Sequence, residues 1–288
     1  GVNQRKKLSD KGGADCDVLL MTATPIPRTL TMTIYGDMDI SIIREKPKNR
    51  KPIKTYSKLE SKIDDVINFI RKEIKFGNQI FWVCPLIEES KKLDHSSAVK
   101  KFEFLKKLFP EQVCLLHGKV EIEEKEQILN NFLTNKFKIL VSTTIIEVGI
   151  DFPNANVIII ENANKFGLSQ LHQLRGRVGR GNKDSTCILM FKSNLSDNAK
   201  KRINILKKSN DGFFISEEDM KIRGFGDILG FKQSGIKNFK LADPIHNRDL
   251  FLLAEKEMRR IENSNEDIGK FKPLIKLYDR ADIINDIA

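Results

Sequence analysis

Ala155-Asn-Val-Ile-Ile-Ile-Glu161 is the stretch that decides the predicted fold of this chain of 288 residues. It is almost continuously apolar, which is typical of a strand buried on both faces of a parallel sheet. The same pattern recurs at Asp17–Met21, Gln79–Cys84, Val113–Leu116, Phe137–Ser142 and Thr186–Phe191. We therefore expect each of these runs to form a buried strand.

Helical patterns lie between and after these runs. A capping box, Ser57-x-x-Glu60, predicts the start of one helix, whose apolar stripe runs from Leu59 to Ile74. Further helices are predicted at Pro27–Tyr35, Leu93–Phe109, Glu121–Leu133, Asp197–Ser209, Ser216–Ile222 and Asp249–Asn263. Strand and helix alternate as far as Phe191, so the predicted fold is α/β. We expect a mainly parallel, doubly wound sheet with helices on both faces, followed by a helical C-terminal extension.

The composition is that of a globular protein with a polyanionic partner. A net charge of +11 and a pI near 9.4 favour nucleic acid. No apolar run approaches the ~18 residues of a membrane span, and no signal-peptide pattern is present, so we expect a cytoplasmic protein that does not contact a membrane. The cysteines Cys16, Cys84, Cys114 and Cys187 are widely spaced, which favours neither a disulfide frame nor a metal site.

The string Gln170-Leu-His-Gln-Leu-Arg-Gly-Arg-Val-Gly-Arg180 carries the most specific chemistry. It places Arg175, Arg177 and Arg180 among two glycines. The planar guanidinium group matches phosphate oxygens, and glycine lets the backbone come close to a ligand. An arginine held against the terminal phosphate of a nucleotide stabilises the charge that develops in phosphoryl transfer. The string therefore predicts a phosphate site.

Three further segments place hydroxyls or glycines directly after a predicted strand. They are Thr22-Ala-Thr24-Pro-Ile-Pro-Arg28, His117-Gly118 and Val141-Ser-Thr143-Thr144-Ile-Ile-Glu147-Val-Gly149-Ile-Asp151. The carboxyl ends of strands are where ligands bind in α/β folds. Gly118 would let the chain approach a phosphate near a helix N-terminus. The third segment could hold a sugar-phosphate backbone without reading bases, and its Asp151 could orient an arginine or a ribose.

Together these segments resemble motifs III, V and VI of the superfamily 2 helicases, in TATPIPRTL, STTIIEVGIDFPNA and FGLSQLHQLRGRVGRG. Within that superfamily the chain resembles the RecG branched-DNA helicases and the transcription-repair coupling factors. The motors of both hold ATP between two RecA-like lobes. Cys84–Asp94, which resembles the RecG version of motif IV, and Asn210–Phe213 favour RecG. Ile222–Gly235 resembles the helical-hairpin translocation motif that both families share.

The resemblance implies roles for individual residues. Arg177 and Arg180 match the motif VI arginines at the γ-phosphate, with Arg180 as the arginine finger. The residues that match the ATP cleft are Gly149, Asp151 and Gln173, and those that match the motif coupling the two lobes are Thr22 and Thr24. The candidates for DNA contact and translocation are His117, Gly118, Thr143, Thr144, Arg223 and Gln233.

The resemblance also implies parts that these residues do not contain. The sequence has neither a Walker A stretch, G-x-x-x-x-G-K-[ST], nor an acidic box for Mg²⁺. ATP and Mg²⁺ would be bound mainly by a first lobe outside this chain, and the wedge that engages a branch point would also lie outside it. We expect a piece of a longer helicase that acts as a monomer on branched DNA, at replication forks and Holliday junctions. Alone, it should not hydrolyse ATP, and Arg177 and Arg180 should face solvent without partners.

Five segments are predicted along the chain. Residues 1–43 would be the end of the first RecA-like lobe, 44–54 a basic linker and 55–192 the second lobe. Residues 193–240 would be the translocation hairpin and 241–288 a C-terminal helical segment.

Two alternatives stay open. One is the motor lobe of a transcription-repair coupling factor, against which Cys84–Asp94 argues. The other, from a different class, is a DNA-binding module without catalysis, which the basic clusters at Arg44–Lys54 and Lys200–Lys208 would serve. A P-loop kinase does not fit, because the phosphate-cradling loop is not in this sequence.

Overall fold

Six strands form one sheet in the computed structural model, which describes residues 50–85, 91–118, 120–143, 151–223, 247–264 and 268–273 and a few single residues before 50. The strands are β1 Lys54–Leu59, β2 Gln79–Val83, β3 Val113–Leu116, β4 Ile139–Ser142, β5 Ala155–Ile160 and β6 Thr186–Phe191. They lie in the order β1-β6-β5-β2-β4-β3, and every described pairing is parallel. The predicted parallel α/β fold is confirmed.

Seven α-helices accompany this sheet within the described residues. They are α1 Ile63–Lys75, α2 Lys91–Leu108, α3 Ile122–Leu133, α4 Leu168–Arg175, α5 Asp197–Lys208, α6 Gly212–Arg223 and α7 Arg248–Glu262. Short 3-10 turns lie at Glu60–Lys62, Ala163–Lys165 and Ile268–Phe271. The helices that follow β6 form the predicted helical extension.

The sheet is covered on both faces, which explains the continuous apolar runs. One core contains residues of α1 and α2, such as Val66 and Leu105, packed with Trp82 of β2. The other core contains residues of α3, α4, α5 and α6, packed with Phe81, the neighbour of Trp82. Successive side chains of a strand point to opposite faces. A strand between two cores is therefore apolar at every position, as all five residues of β2 are buried.

The capping box predicted at Ser57 and Glu60 is wrong. Ser57 lies inside β1, and α1 begins only at Ile63, with Lys62 before it and no side-chain cap. β1 is an edge strand whose exposed and half-buried residues alternate, so it lacks the apolar run that identified the other strands. Ile53, directly before β1, is already buried.

The cysteines in the described residues are free and buried, as predicted: they are Cys84, Cys114 and Cys187. Burial raises the pKa of the Cys187 thiol to about 12. A thiol that stays protonated is a poor nucleophile, so Cys187 serves as a small apolar side chain. Cys16 lies outside the described residues.

Two compact units divide the chain. One comprises Gly1–Ile26 and Ile42–Ile222 and contains the sheet; the other comprises Pro27–Ser41 and Arg223–Ala288. In the second unit, α7 exposes Leu250, Leu253 and Met258. Within the described residues, none of the helices has both the length and the apolar character needed to cross a bilayer.

Part of the N-terminal prediction lies outside the described residues. This holds for the helix predicted at Pro27–Tyr35 and for most of the strand predicted at Asp17–Met21. Leu19 and Met21 are described, and both are exposed with no strand assigned.

Candidate functional site

The arginine string forms a short helix and a tight turn. The backbone N–H of Gly167 donates to Oε1 of Gln170 at 2.9 Å, which satisfies one of the free donors at the start of α4. The helix ends at Arg175 and is followed by Gly176 as its C-cap, and the N–H of Arg177 donates to the carbonyl of Leu174 at 3.0 Å. The chain then turns at Gly179 to enter the segment before β6.

Gly179 allows that turn for two reasons. Its φ is +74°, in the left-handed region that residues with a Cβ rarely adopt. A Cβ on Gly179 would also lie 3.2 Å from Cγ1 of Ile53 and 3.3 Å from Cβ of Ser185. Packing against these two residues therefore sets the path of the backbone that carries Arg177 and Arg180.

Replacement of Gly179 by alanine should destabilise the chain by about 1–3 kcal/mol, because it adds backbone strain and crowding at once. Urea unfolding of the purified chain measures this loss. Gly77→Ala is the matched control: its φ is also positive, at +79°, but a Cβ there meets nothing within 4 Å. Equal losses for the two variants would show that the contacts with Ile53 and Ser185 are not limiting.

Arg180 is not free of partners. Its Nε lies 3.8 Å from Oδ1 of Asp151, and the two side chains are 32% and 59% exposed. Arg177 is half-buried and also makes an interaction. The expectation that both arginines face solvent unpaired is therefore wrong. The turn at Gly179 leads into β6, and the loop with Asp151 leads into β5. Because β5 and β6 are neighbours in the sheet, Asp151 lies beside Arg180. Orienting an arginine was one of the two roles considered for Asp151.

Arg175 is held inside the protein. It is 1% exposed, and its Nη1 donates to the carbonyls of Leu206 and Ser209 at 2.7 and 2.8 Å. Its Nη2 lies 3.0 Å from Nδ1 of His172. Arginine has no acceptor atom, so Nδ1 of His172 must be the acceptor. Burial lowers the pKa of Arg175, and its buried charge is compensated by the hydrogen bonds that it donates to the carbonyls at the end of α5.

Hydrogen bonds also connect the N-terminal end of α4 to α5 and α6. Ser169 Oγ donates to Oδ2 of the buried Asp219 of α6 at 2.6 Å. Arg202 of α5 donates from Nη1 to the carbonyl of Phe166 at 2.6 Å and from Nη2 to that of Asn164 at 3.3 Å. Together with Arg175, these bonds connect α4 to α5 and α6 at both of its ends.

The segment before β1 also contacts the residues on either side of the turn at Gly179. Nη2 of Arg50 donates to the carbonyl of Gly176 at 3.1 Å, and the N–H of Lys54 donates to the carbonyl of Ser185 at 2.9 Å. These contacts place β1 beside the arginine string, although more than a hundred residues separate them in the chain.

Three other candidates lie at the opposite edge of the sheet. His117 and Gly118 follow β3, and Thr143 follows β4, at the carboxyl ends of these strands. Arg180 and Asp151 lie before β6 and β5, at the amino ends. Strands of four to six residues separate the two edges by roughly 13–20 Å. The structure thus brings Asp151 to Arg180 and keeps both apart from His117 and Thr143.

Thr143 is 3% exposed, and its Oγ1 has no hydrogen-bond partner among the residues that the structure describes, as is also true of Ser142 Oγ. Gln173 is exposed on α4, Thr22 is exposed, and Arg223 is exposed at the end of α6. Four predicted site residues lie outside the described residues: Thr24, Thr144, Gly149 and Gln233.

The sequence did not identify one ion pair at the carboxyl edge. Nζ of Lys101 lies 2.7 Å from Oε1 of Glu161, and the two side chains are only 21% and 12% exposed. Lys101 also lies over the ring of Trp82, 5.2 Å from its centroid. This pair ties α2 to the ends of β2 and β5. The sequence offered one signal for Glu161, an acidic residue directly after a continuously apolar strand. Residues that follow parallel strands lie together at the carboxyl edge of the sheet.

Arg180 and Gln173 are exposed around the arginine turn, and a guanidinium group is chemically suited to phosphate oxygens. The ion pair between Arg180 and Asp151 is long and solvent-exposed, so it is weak, and a phosphate can replace the carboxylate. Arg177 and Gln173 lie on the same turn and helix. Within the described residues, no group of three or more His, Cys, Asp and Glu side chains could hold a metal ion.

Two family models match the chain. Residues 61–182 match the helicase conserved C-terminal domain. Residues 209–277 match the C-terminal part of domain 3 of the ATP-dependent DNA helicase RecG. The first match contains α4 and the arginine turn, and the second contains α6 and α7.

The chain is similar over most of its length to ATP-dependent DNA helicases named RecG. It is 51% identical over 249 residues to RecG of Bacillus subtilis, an alignment that covers 86% of the chain and 36% of that protein. It is 44% identical over 291 residues to RecG of Escherichia coli K12, covering 98% of the chain and 42% of that protein. The chain thus spans well under half the length of these relatives.

Solved structures agree with these matches. A structure of RecG bound to a three-way DNA junction superposes with a TM-score of 0.65 at 42% identity, covering 82% of the chain and 30% of that protein. Dbp5 of S. cerevisiae, bound to RNA and ADP BeF3, superposes with a TM-score of 0.53 at 18% identity, over 77% of the chain and 59% of that protein, which supports the fold alone. The two domain matches, the relatives and the fold agree with one another: the chain is similar to the C-terminal part of the RecG helicases.

Proposed function

We propose that this chain is the C-terminal motor part of an ATP-dependent helicase that acts on branched DNA in recombination and repair. The complete protein would work as a monomer in the cytoplasm, reversing replication forks and moving Holliday junctions. A first RecA-like lobe and a branch-engaging wedge, both outside this chain, would complete it. RecG of B. subtilis is named an ATP-dependent DNA helicase, and a solved RecG holds a three-way DNA junction, which supports this proposal.

One observation carries the proposal: α4, which leads into the arginine turn, is bonded at both ends to α5 and α6. Arg175 reaches the end of α5, and Ser169 reaches Asp219 of α6. α6 lies within the segment that matches RecG domain 3. These hydrogen bonds offer a route by which a displacement of the arginines would reach that segment, as coupling of nucleotide state to DNA movement requires.

Each arginine has a distinct task in the proposed cycle. ATP bound on the first lobe would supply the phosphoanhydride bond whose hydrolysis drives the movement. Arg180 would leave Asp151 for the γ-phosphate and stabilise its charge, while Arg177 and Gln173 would position the turn. Arg175 stays buried and holds α4 against α5. The carboxyl-edge residues His117 and Thr143 are proposed for the DNA side of the lobe.

A DNA-binding module without catalysis is the second candidate, favoured by the net charge of +11. The coupling-factor alternative is weaker, because the match at residues 209–277 is to a RecG domain.

ATPase assays separate the two remaining candidates. The purified chain should show no DNA-stimulated hydrolysis, since it has no Walker A stretch. The full-length protein that contains it should hydrolyse ATP faster when a three-way junction is added. A full-length protein that binds junctions and never turns over ATP would support the binding module. Strong hydrolysis by the chain alone would contradict the proposed division of the ATP site.

A further inference from the structure

An open cleft of about 770 Å³ lies beside the edge strand β1. Its lining includes Val66 of α1 and Ile188 of β6, which belong to the core under α1 and α2. α4 packs on the other core. The cleft is therefore on the face of the sheet opposite to α4, and neither Arg177 nor Arg180 is part of its lining.

The cleft face of β1 carries lysine, tyrosine and lysine in alternation. Lys54, Tyr56 and Lys58 are exposed, whereas Thr55 and Ser57 between them are half-buried towards the opposite face. Side chains two apart on a strand are about 6.6 Å apart. Tyr56 is 50% exposed and Phe76, across the cleft, is 75% exposed. Aromatic surface at this exposure is available to a ligand.

The charges in the cleft favour an anionic ligand. Its lysines are Lys51, Lys54, Lys58 and Lys183, and they outnumber its carboxylates, which are Asp65, Glu73 and Asp184. Lys51 and Lys54 share Asp184, at 2.8 and 3.1 Å, and Lys58 lies 3.6 Å from Asp65. All five of these side chains are at least 45% exposed, so the pairs are worth little and exchange readily for phosphate.

One end of the cleft has a rigid polar floor. Nδ2 of Asn78 donates to Oε2 of Glu73 at 2.6 Å, and its Oδ1 accepts from Nδ2 of the buried Asn156 at 3.0 Å. Oδ1 of Asn156 accepts in turn from Oγ of Ser185 at 3.2 Å. This chain of bonds connects α1, β5 and the start of β6 and holds the cleft walls in place. Because Glu73 accepts the bond from Asn78, its carboxylate does not compete with the ligand for the lysines.

We propose that this cleft binds a short segment of single-stranded nucleic acid, with a base stacked on Tyr56 and phosphates at Lys54 and Lys58. A basic groove with exposed aromatic rings is the arrangement that holds single strands without reading their sequence. A pairing protein strand fits less well, because lysines along an edge strand oppose such pairing. The site goes beyond the proposed function: it needs no ATP and provides a second contact for a strand that has left the duplex.

Binding of a fluorescein-labelled oligo(dT) of about 12 nucleotides, measured by anisotropy without ATP, tests the proposal. Tyr56→Ala should weaken the affinity at least about fivefold, whereas Tyr56→Phe should retain it. The double variant Lys54→Ala/Lys58→Ala should reduce the slope of log affinity against log salt by about 0.7 for each phosphate that the chain no longer neutralises. The matched controls on α2, Phe104→Ala and Lys106→Ala/Lys107→Ala, should bind as the unmodified chain does.

A second measurement locates the bound strand. Photo-crosslinking of a bromodeoxyuridine oligonucleotide, followed by peptide mapping, should yield an adduct at Tyr56. Unchanged affinity in the Tyr56 and lysine variants overturns the proposal, as does a wild-type chain that does not bind the oligonucleotide. If the lysine variants only aggregate more and still bind normally, the lysines protect the edge strand and the proposal is wrong. Because ATP turnover enters none of these readouts, they are independent of the proposed motor function.

Discussion

Replacement of Arg180 by alanine should lower ATP turnover of the full-length protein by about a thousandfold or more, the loss typical of a missing arginine finger. Arg180 is well placed for this role. The turn at Gly179 fixes its backbone, and its guanidinium group is held by only a long ion pair with Asp151, at 3.8 Å. A weak resting partner leaves the charge available to a phosphate at little cost.

The steady-state parameters distinguish this role from simple substrate binding. An interaction made mainly in the transition state lowers kcat and leaves KM nearly unchanged. Arg180→Lys should recover little activity, because an ammonium group cannot contact two phosphate oxygens in the planar fork geometry. Lys165→Ala, an exposed lysine ahead of α4, is the control and should turn over normally. If Arg180→Ala keeps more than a tenth of wild-type kcat, Arg180 is not the finger.

The second large effect is expected at Arg175, whose replacement by alanine should lower the free energy of unfolding by about 2–4 kcal/mol. Two carbonyls at the end of α5 and Nδ1 of His172 lose their donor at once, and the guanidinium volume is left empty in the interior. Arg175→Lys should recover only part of this loss, since one ammonium group cannot reach Leu206, Ser209 and His172 together.

Chemical denaturation of the purified chain measures this effect. Arg71→Ala serves as the control: Arg71 is exposed, and its Nη1 donates to Oδ1 of Asn68 at 3.3 Å on the same helix. Surface changes of this kind usually stay within about 0.5 kcal/mol. An Arg175→Ala chain as stable as Arg71→Ala would show that the buried bonds do not hold α4 against α5.

The buried strands were predictable because their burial has a local signature. β3 and β6 lie at the predicted bounds, and β2, β4 and β5 differ from them by one or two residues. A strand packed on both faces must be apolar at every position, so the pattern is read within one short segment. β1 has no such signature, because one of its faces is exposed. The spacing of Ser57 and Glu60, which matches a capping box by chance, led to the wrong prediction of a helix start.

The candidate site, like the fold, was predictable from the sequence only in part. The sequence alone predicted Arg177 and Arg180 as candidate phosphate ligands, because residue type and glycine spacing are local properties. Residue type alone could not separate Arg175 from them, because all three arginines stand in one string; only the family resemblance singled out Arg177 and Arg180. Nor could it identify the pair of Lys101 and Glu161, whose members come from α2 and the end of β5.

By itself, then, the sequence determined the parallel α/β fold, the family resemblance and the residues that suit a phosphate. Only the tertiary structure decided that Arg175 is buried, that Asp151 holds Arg180 and that an open cleft lies beside β1. The physical reason is the strand order, which sets β1 next to β6 although their sequences are far apart. Contacts such as that of Arg175 with Thr55, 120 positions away, follow from this order and leave no local pattern in the sequence.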